Sequence, residues 1–465
     1  MIFTSTLFFV FFLIVYIAYW LWNGRKYREW ILMIGSLVFY ASWNPPFLLH
    51  LLGIVLVNYL FLKPIAATKS KPLLTVIVVL DLLNLGIFKY FYFVTDNLFY
   101  VTKWSLFDTS TMSFRIILPL AISFYTFQVM AFVIDVYRGK VKEIPNFFHF
   151  TLFLLFFPQL VAGPIMRAED FFPKLERLKI HRTTVFTGLF LIGLGACKKI
   201  LIADNLGSLI DPVFANPKEY GSGSLALAAI GFTWQVYSDF SGYTDVARGC
   251  ALLFGFNIPR NFTAPFFSRN IHELWRRWHI TLGTWLKDYI YIPLGGSRIS
   301  EFRTNLNQTI TFALGGLWHG ANWTFLAWGL SHGLFLFVER TMERRGLRIL
   351  PEHGKLVTGT RILWTYFLFV LAAIFFRTFH ISDSIYFFRN IFFHYLPEQT
   401  LTLSLALVYP YIIGGILFHA AEAPKRYPMW FHRNRGKLLL AFLLIGALIF
   451  GNYAGKGQDF IYFAF

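Results

Sequence analysis

His319 stands in Gly315-Gly316-Leu317-Trp318-His319-Gly320-Ala321-Asn322-Trp323, flanked by apolar helix-forming stretches at 306–317 and 325–338. A titratable ring at membrane depth is expensive to bury and by default marks a functional site. The plain alternative is a histidine hydrogen-bonded to a neighbouring helix. A second histidine-bearing segment, residues 271–290, reads Ile-His-Glu-Leu-Trp-Arg-Arg-Trp-His-Ile-Thr-Leu-Gly-Thr-Trp-Leu-Lys-Asp-Tyr-Ile. Trp275, Trp278, Leu282 and Trp285 recur at three- and four-residue steps, the apolar stripe of one amphipathic helix. On that helix His272 and His279, one heptad apart, lie within about 20° of each other. Trp beside Arg also suits a purely interfacial anchor, which leaves the paired histidines unexplained.

Tyr289-Ile290-Tyr291-Ile292-Pro293-Leu294-Gly295-Gly296-Ser297-Arg298 follows. Pro293 ends the helix, and Gly295-Gly296 opens backbone conformations that other residues resist. Such a turn beside Arg298 and Arg303 can hold phosphate through main-chain N–H groups and cationic side chains; an ordinary loop is the alternative. No metal site is expected. His272 and His279 lack the i, i+4 spacing of helical ligand pairs, and their neighbours are cationic. No Gly-x-Ser-x-Gly elbow occurs and neither cysteine adjoins a histidine, so serine and cysteine triads lack support.

The elements that must position these residues are membrane helices. Hydrophobic residues make up 56% of the 465-residue chain and charged residues 14%, against roughly 25% charged in a soluble domain. The first apolar run, Leu7–Trp22, follows no basic residue and precedes no small-residue cleavage site, so it reads as a first transmembrane helix. The net charge of +18 is expected in short loops beside apolar spans: Arg25/Lys26/Arg28, Lys63/Lys69/Lys71, Arg138/Lys140/Lys142, 340–348 and 425–437. Charge so placed sets topology and attracts anionic lipid headgroups rather than nucleic acid. Two cysteines, Cys197 and Cys250, are too few for a disulfide framework.

Placing the basic segments in the cytosol predicts both termini outside. Spans fall near 7–22, 31–43, 47–62, 73–93 and 116–137. The run 147–161, interrupted by Pro158 and Gly163-Pro164, is expected to be re-entrant. Spans 185–203 and 225–238 follow, the second ending in the polar run Tyr237–Asp245. Asp239 and Asp245 there would line a water-filled cavity or cap a helix end. A hairpin (306–317, 321–338) encloses His319, and spans 362–376, 401–417 and 438–453 complete the path. The expectation is an all-α polytopic membrane protein of about 11–13 transmembrane or re-entrant helices. It forms one domain over 1–465: N-terminal helices to 245, a core at 246–340, C-terminal helices at 341–454 and an external aromatic tail at 455–465. No internal repeat is evident, which weighs against an inverted-repeat transporter.

His272–His279, Tyr289–Arg298 and Leu317–Trp323 together resemble the signature of the membrane-bound O-acyltransferase (MBOAT) superfamily. Pro158-Gln159-Leu160-Val161-Ala162-Gly163-Pro164-Ile165 and the terminal Phe460-Ile461-Tyr462-Phe463-Ala464-Phe465 are similar to its bacterial branch, which O-acetylates alginate and other exported or cell-wall polysaccharides. Thr281-Leu282-Gly283 stands where that branch has Ser-Leu-Ser, and Ala464 where the alginate proteins tend to have Gln, so the polysaccharide stays open.

The resemblance implies helices enclosing a catalytic tunnel, His319 as principal catalytic residue and His279 as its partner. It implies acetyl-CoA as a cytosolic donor, a polysaccharide acceptor, an extracytoplasmic SGNH-type acetyltransferase partner and residence in a bacterial inner membrane. Chemistry agrees: transfer from thioester to hydroxyl needs a base near neutral pH and donors for the oxyanion. Asn322 and the main chain after Gly315-Gly316 are candidate donors. Arg276, Arg277, Lys287 and Arg298 would suit the CoA phosphates. Tyr462 would be an acyl carrier, as terminal aromatic motifs are in related systems; an interfacial anchor is the alternative. Two rivals stand: D-alanyl transfer to teichoic acid from a carrier protein, and a non-enzymatic export subunit with histidine proton relays.

Overall fold

The computed structural model describes residue 3 and residues 5–22, 24–161, 163–175, 181–347, 354–398 and 403–422. Every regular element among them is helical, as hydrocarbon requires of a chain with no sheet closed on itself. Among the described residues four stretches are long and apolar enough to cross a membrane: Pro45–Thr68, Lys71–Thr102, Arg182–Ala215 and Lys355–Arg377. Leu49, Leu60, Leu83 and Leu363 on these stretches are exposed, as lipid-facing residues should be.

The chain forms two units, Met1–Leu189 with Ala247–Pro259, and Phe190–Val246 with Arg260–Phe465. The first unit holds α1 (Thr6–Leu21), α2 (Arg25–Ala41), α3 (Pro45–Thr68), α4 (Lys71–Leu85), α5 (Phe91–Thr102), α6 (Ile122–Tyr137), α7 (Phe147–Leu155), α8 (Phe157–Leu160) and α9 (Ala168–Leu175). Arg25, Lys26 and Arg28 belong to the first turn of α2, not to a loop. Arg25 pairs with Glu29 at 2.7 Å, and the Arg28 guanidinium lies 4.5 Å from the centre of the Trp20 ring. The span expected at 73–93 continues through a π-helical turn to Thr102, and that expected at 116–137 becomes helical only at Ile122.

The run 147–161 is broken as its prolines predict. α7 stops at Phe156, whose backbone (φ −49°, ψ 100°) leaves the helix, and Pro158 occupies the first turn of α8. Phe150 to Phe157 are buried throughout, the condition under which a broken backbone is tolerated at membrane depth. α9, eight residues with Glu169, Asp170 and Lys174 among them, is too short for its amphipathic pattern to mark a helix from sequence.

α10 (Arg182–Ala196) and α12 (Ser222–Leu253) contribute to both units. The second unit also contains α11 (Asp204–Ala215), α13 (Ile271–Arg277), α14 (Ile280–Leu286), α15 (Glu301–His319), α16 (Trp323–Arg344), α17 (Lys355–Arg377), α18 (Ile381–Phe392) and α19 (Leu405–Ala421). The span expected at 185–203 runs on through a π turn at Cys197–Ala203 into α11. α12 does not end at Ser238, so Asp239 and Asp245 are mid-helix residues and cap nothing. α18, amphipathic rather than uniformly apolar, is a helix the hydropathy pattern passes over. The span expected at 438–453 and the tail lie outside the described residues.

Candidate active site

The α15–α16 hairpin is drawn together by glycines. A Cβ on Gly316 would strike the Phe325 carbonyl, one on Gly329 the Phe312 carbonyl, and one on Gly320 the Phe325 ring. Only bare backbone lets the two helices approach this closely. His319 is the last residue of α15 and is 4% exposed. Asn322 then starts α16 as its N-cap, its Oδ1 accepting from Thr324 N at 3.0 Å while its Nδ2 donates to the Phe379 carbonyl at 2.8 Å. Asn322, expected from sequence to donate to an oxyanion, thus holds the turn that follows His319, and it is not among the residues lining the cavity beside His319.

His319 opens onto a cavity of about 20 Å³, enough for roughly one water. Phe232 and Val236 of α12, Trp278, Trp328 of α16, and Phe369, Ala373 and Phe376 of α17 complete its wall. The imidazole meets Trp318 at 4.9 Å, Trp328 at 5.0 Å and Phe376 at 5.0 Å between ring centroids. A charge developing in such an apolar enclosure feels nearby dipoles far more strongly than it would in water.

His279 also neighbours Trp318, its ring 6.0 Å from that indole and 4.7 Å from Phe240. The expectation of one helix through 271–290 is corrected here. α13 ends before Trp278, and His279 adopts a left-handed backbone (φ 41°, ψ 53°) before α14 begins. His272 is consequently not on a shared helical face with His279. It stands at the start of α13, whose Ile271 and His272 amides donate to Glu339 of α16. Partial burial first, then Arg276 and Arg340, lower the pKa of His272.

Asn261 holds the break. Its carbonyl accepts from Ile280 N at 3.0 Å, and its Oδ1 accepts from Thr281 Oγ1 at 2.6 Å. Non-glycine left-handed residues store strain and cluster at functional sites, histidine being among the side chains that tolerate the conformation. Neither ring nitrogen of His279 has a hydrogen-bond partner among the described residues.

The four cations proposed for phosphate do not line the cavity. Arg276, Lys287 and Arg298 are exposed, whereas Arg277 is held by Glu273 at 2.6 Å. The turn before Arg298 has the anticipated positive angles, φ 110° at Gly295 and 57° at Gly296. Asn307 steadies it by donating to the Leu294 carbonyl at 2.9 Å.

Two features were not read from sequence. His332, fully buried on α16, packs against Trp328 and Trp275 at 5.0 Å each. Its ring nitrogens also lack partners among the described residues. The i, i+4 spacing from Trp328 was the available signal. The second feature is an ionic network between α10–α11 and α12. Lys198 pairs with Asp245 at 2.7 Å and with Glu422; Lys199 pairs with Asp239 at 2.7 Å and Asp204 at 2.8 Å. Tyr237 donates to Glu422 at 2.6 Å. Gly195 and Gly242 cross between these pairs, each too close to the other's carbonyl to accept a Cβ. The sequence showed the carboxylates but not that adjacent lysines in a π turn would meet them.

Residues 140–346 match the model of the membrane-bound O-acyltransferase family. The chain is 39% identical over 385 residues to a probable alginate O-acetylase of Pseudomonas aeruginosa, covering 81% of this chain and 72% of that protein. It is 37% identical to the peptidoglycan O-acetyltransferase of Helicobacter pylori, covering 66% and 64%. It is 28% identical to the teichoic acid D-alanyltransferase of Streptococcus thermophilus, covering 54% and 68%. The chain belongs to the membrane-bound O-acyltransferase family, and it is an acyltransferase.

Proposed function

We propose that this enzyme moves acetyl from cytosolic acetyl-CoA toward an exported or cell-wall polysaccharide, through the inner membrane of a bacterium. The observation that carries the reading is His319 in its small aromatic cavity. The relatives from Pseudomonas and Helicobacter, a probable alginate O-acetylase and a peptidoglycan O-acetyltransferase, support it. The D-alanyltransferases are more distant.

In the proposed step a hydroxyl oxygen attacks the thioester carbonyl while His319 takes its proton. The tetrahedral oxyanion forms near the hairpin turn with Asn322 as its candidate donor, since the amides just after Gly315-Gly316 are committed to α15. The carbon–sulfur bond then breaks and the departing CoA thiolate receives the proton back. His279, beside Trp318, aids this centre from a strained backbone. Exclusion of water limits loss of acetyl to hydrolysis. Arg276, Arg277, Lys287 and Arg298 would draw the CoA phosphates to the cytosolic mouth.

The acceptor hydroxyl is assigned to Tyr462, in the tail that the basic-segment rule places outside with both termini. An extracytoplasmic SGNH-type partner then transfers acetyl from the tyrosine ester to the polymer. The test is acetylation of the polymer in cells carrying His319→Ala. The polymer should lose its acetyl groups while the protein still inserts and purifies; wild-type acetylation would overturn the reading.

A further inference from the structure

Asp81 lies inside the apolar stretch Lys71–Thr102 and is 3% exposed. Ten residues separate it from Lys71, about 15 Å along a helix and half of the roughly 30 Å of a hydrocarbon core. Asn58, fully buried on α3, stands ten residues before Thr68 and so at a similar depth. The Asn58 amide uses both of its hydrogens, one on Asp81 Oδ1 at 2.8 Å and one on the Ile54 carbonyl at 3.1 Å. Asn58 Oδ1 and Asp81 Oδ2, the other oxygens of the two joined side chains, are buried without a hydrogen-bond partner among the described residues. Both can only accept while Asp81 is ionised.

Nor does Asp81 have an ion-pair partner among the described residues. The polar groups of the packed elements bond elsewhere. His50 of α3 meets Asn84 of α4 at 2.8 Å, and Tyr125 of α6 stands beside Asn84 and within electrostatic reach of Asp81. Tyr40 of α2 donates to the Leu120 carbonyl, and Lys89, in the π turn after α4, reaches Ser123 at 3.5 Å. A carboxylate at this depth with no counter-charge carries a heavy desolvation cost. One proton on Oδ2 removes the charge and supplies the donor that Asn58 Oδ1 lacks.

We propose that Asp81 is a proton-binding site within the membrane, its Oδ2 holding a proton and donating it to Asn58 Oδ1. The pair then forms a two-bond acid–amide ring that clamps α3 to α4, a means by which membrane helices associate. The ring belongs to the unit of Met1–Leu189 and His319 to the other, so variants of Asp81 leave the catalytic residues in place.

The test compares wild type, Asp81→Asn and Asp81→Leu, purified in detergent, by infrared difference spectroscopy and thermal unfolding. Wild type minus Asp81→Asn should show the carbonyl stretch of a protonated carboxylic acid, displaced in deuterated water. Asp81→Leu gives a second reference for that band. Asp81→Asn keeps one donor and one acceptor toward Asn58, so it should unfold near the wild-type temperature. Asp81→Leu removes both bonds and should unfold several degrees lower. Carboxylate bands in place of the acid band would overturn the proposal, as would an Asp81→Asn variant no more stable than Asp81→Leu. So would stabilisation of wild type by sodium but not potassium that vanishes in Asp81→Asn, because a metal ion would then hold the place given to the proton.

Discussion

His319 and Trp328 face each other across the α15–α16 hairpin, with ring centroids 5.0 Å apart and planes at 88°. Edge-to-face rings at this separation attract beyond their area burial. Their approach depends on Gly316 and Gly329, which admit no side chain. Gly329→Ala should therefore push the helices apart, lowering stability by about 1–3 kcal/mol and acyl transfer more than in proportion. Thermal unfolding in detergent alongside turnover checks this; wild-type values for both would contradict the packing account.

Lys198 is fully buried between Asp245 and Glu422. Lys198→Met should destabilise by about 3–5 kcal/mol, because it leaves carboxylates without their counter-charge. Adding Asp245→Asn and Glu422→Gln should recover much of that loss. A single variant that melts with wild type would show the network to be energetically idle.

How far the sequence could be read follows from what each signal depends on. The hairpin around His319 was legible because apolar runs and glycines are local signals. The break at Pro158 was legible because proline acts on its own helix. The end expected at Ser238 is absent because Asp239 and Asp245 are matched by lysines some forty residues earlier, a pairing that polarity along one helix does not show. The helix through 271–290 failed at His279 because its left-handed turn is imposed by Asn261, a tertiary contact invisible to periodicity. His332 is harder to read because its spacing from Trp328 marks one neighbour only, while Trp275, the other, comes from a separate segment.

Arg298 is exposed beside the Gly295-Gly296 turn. If that turn receives the donor's phosphates, Arg298→Glu should raise the KM for acetyl-CoA tenfold or more, a loss of about 1.4 kcal/mol or greater, with kcat little altered. Steady-state kinetics over a range of salt is the check, since charge attraction at an exposed site weakens as salt rises. Unaltered KM would remove Arg298 from the donor site.

Tyr462→Phe separates a carrier from an anchor, because it keeps the aromatic ring and removes the hydroxyl. Polymer acetylation should be abolished, and mass spectrometry of the wild-type tail should find an acetyl ester that the variant lacks. Acetylation at the wild-type level in the variant would leave the tail an anchor only.

The most direct measurement is release of CoA from acetyl-CoA by purified protein in proteoliposomes, comparing wild type, His279→Ala and His319→Ala at equal protein and verified folding. Loss of the general base should cost about 10²–10⁴-fold in the His319 variant, with a smaller loss in the His279 variant. CoA release by His319→Ala at the wild-type rate would contradict the assignment of His319 as the catalytic base.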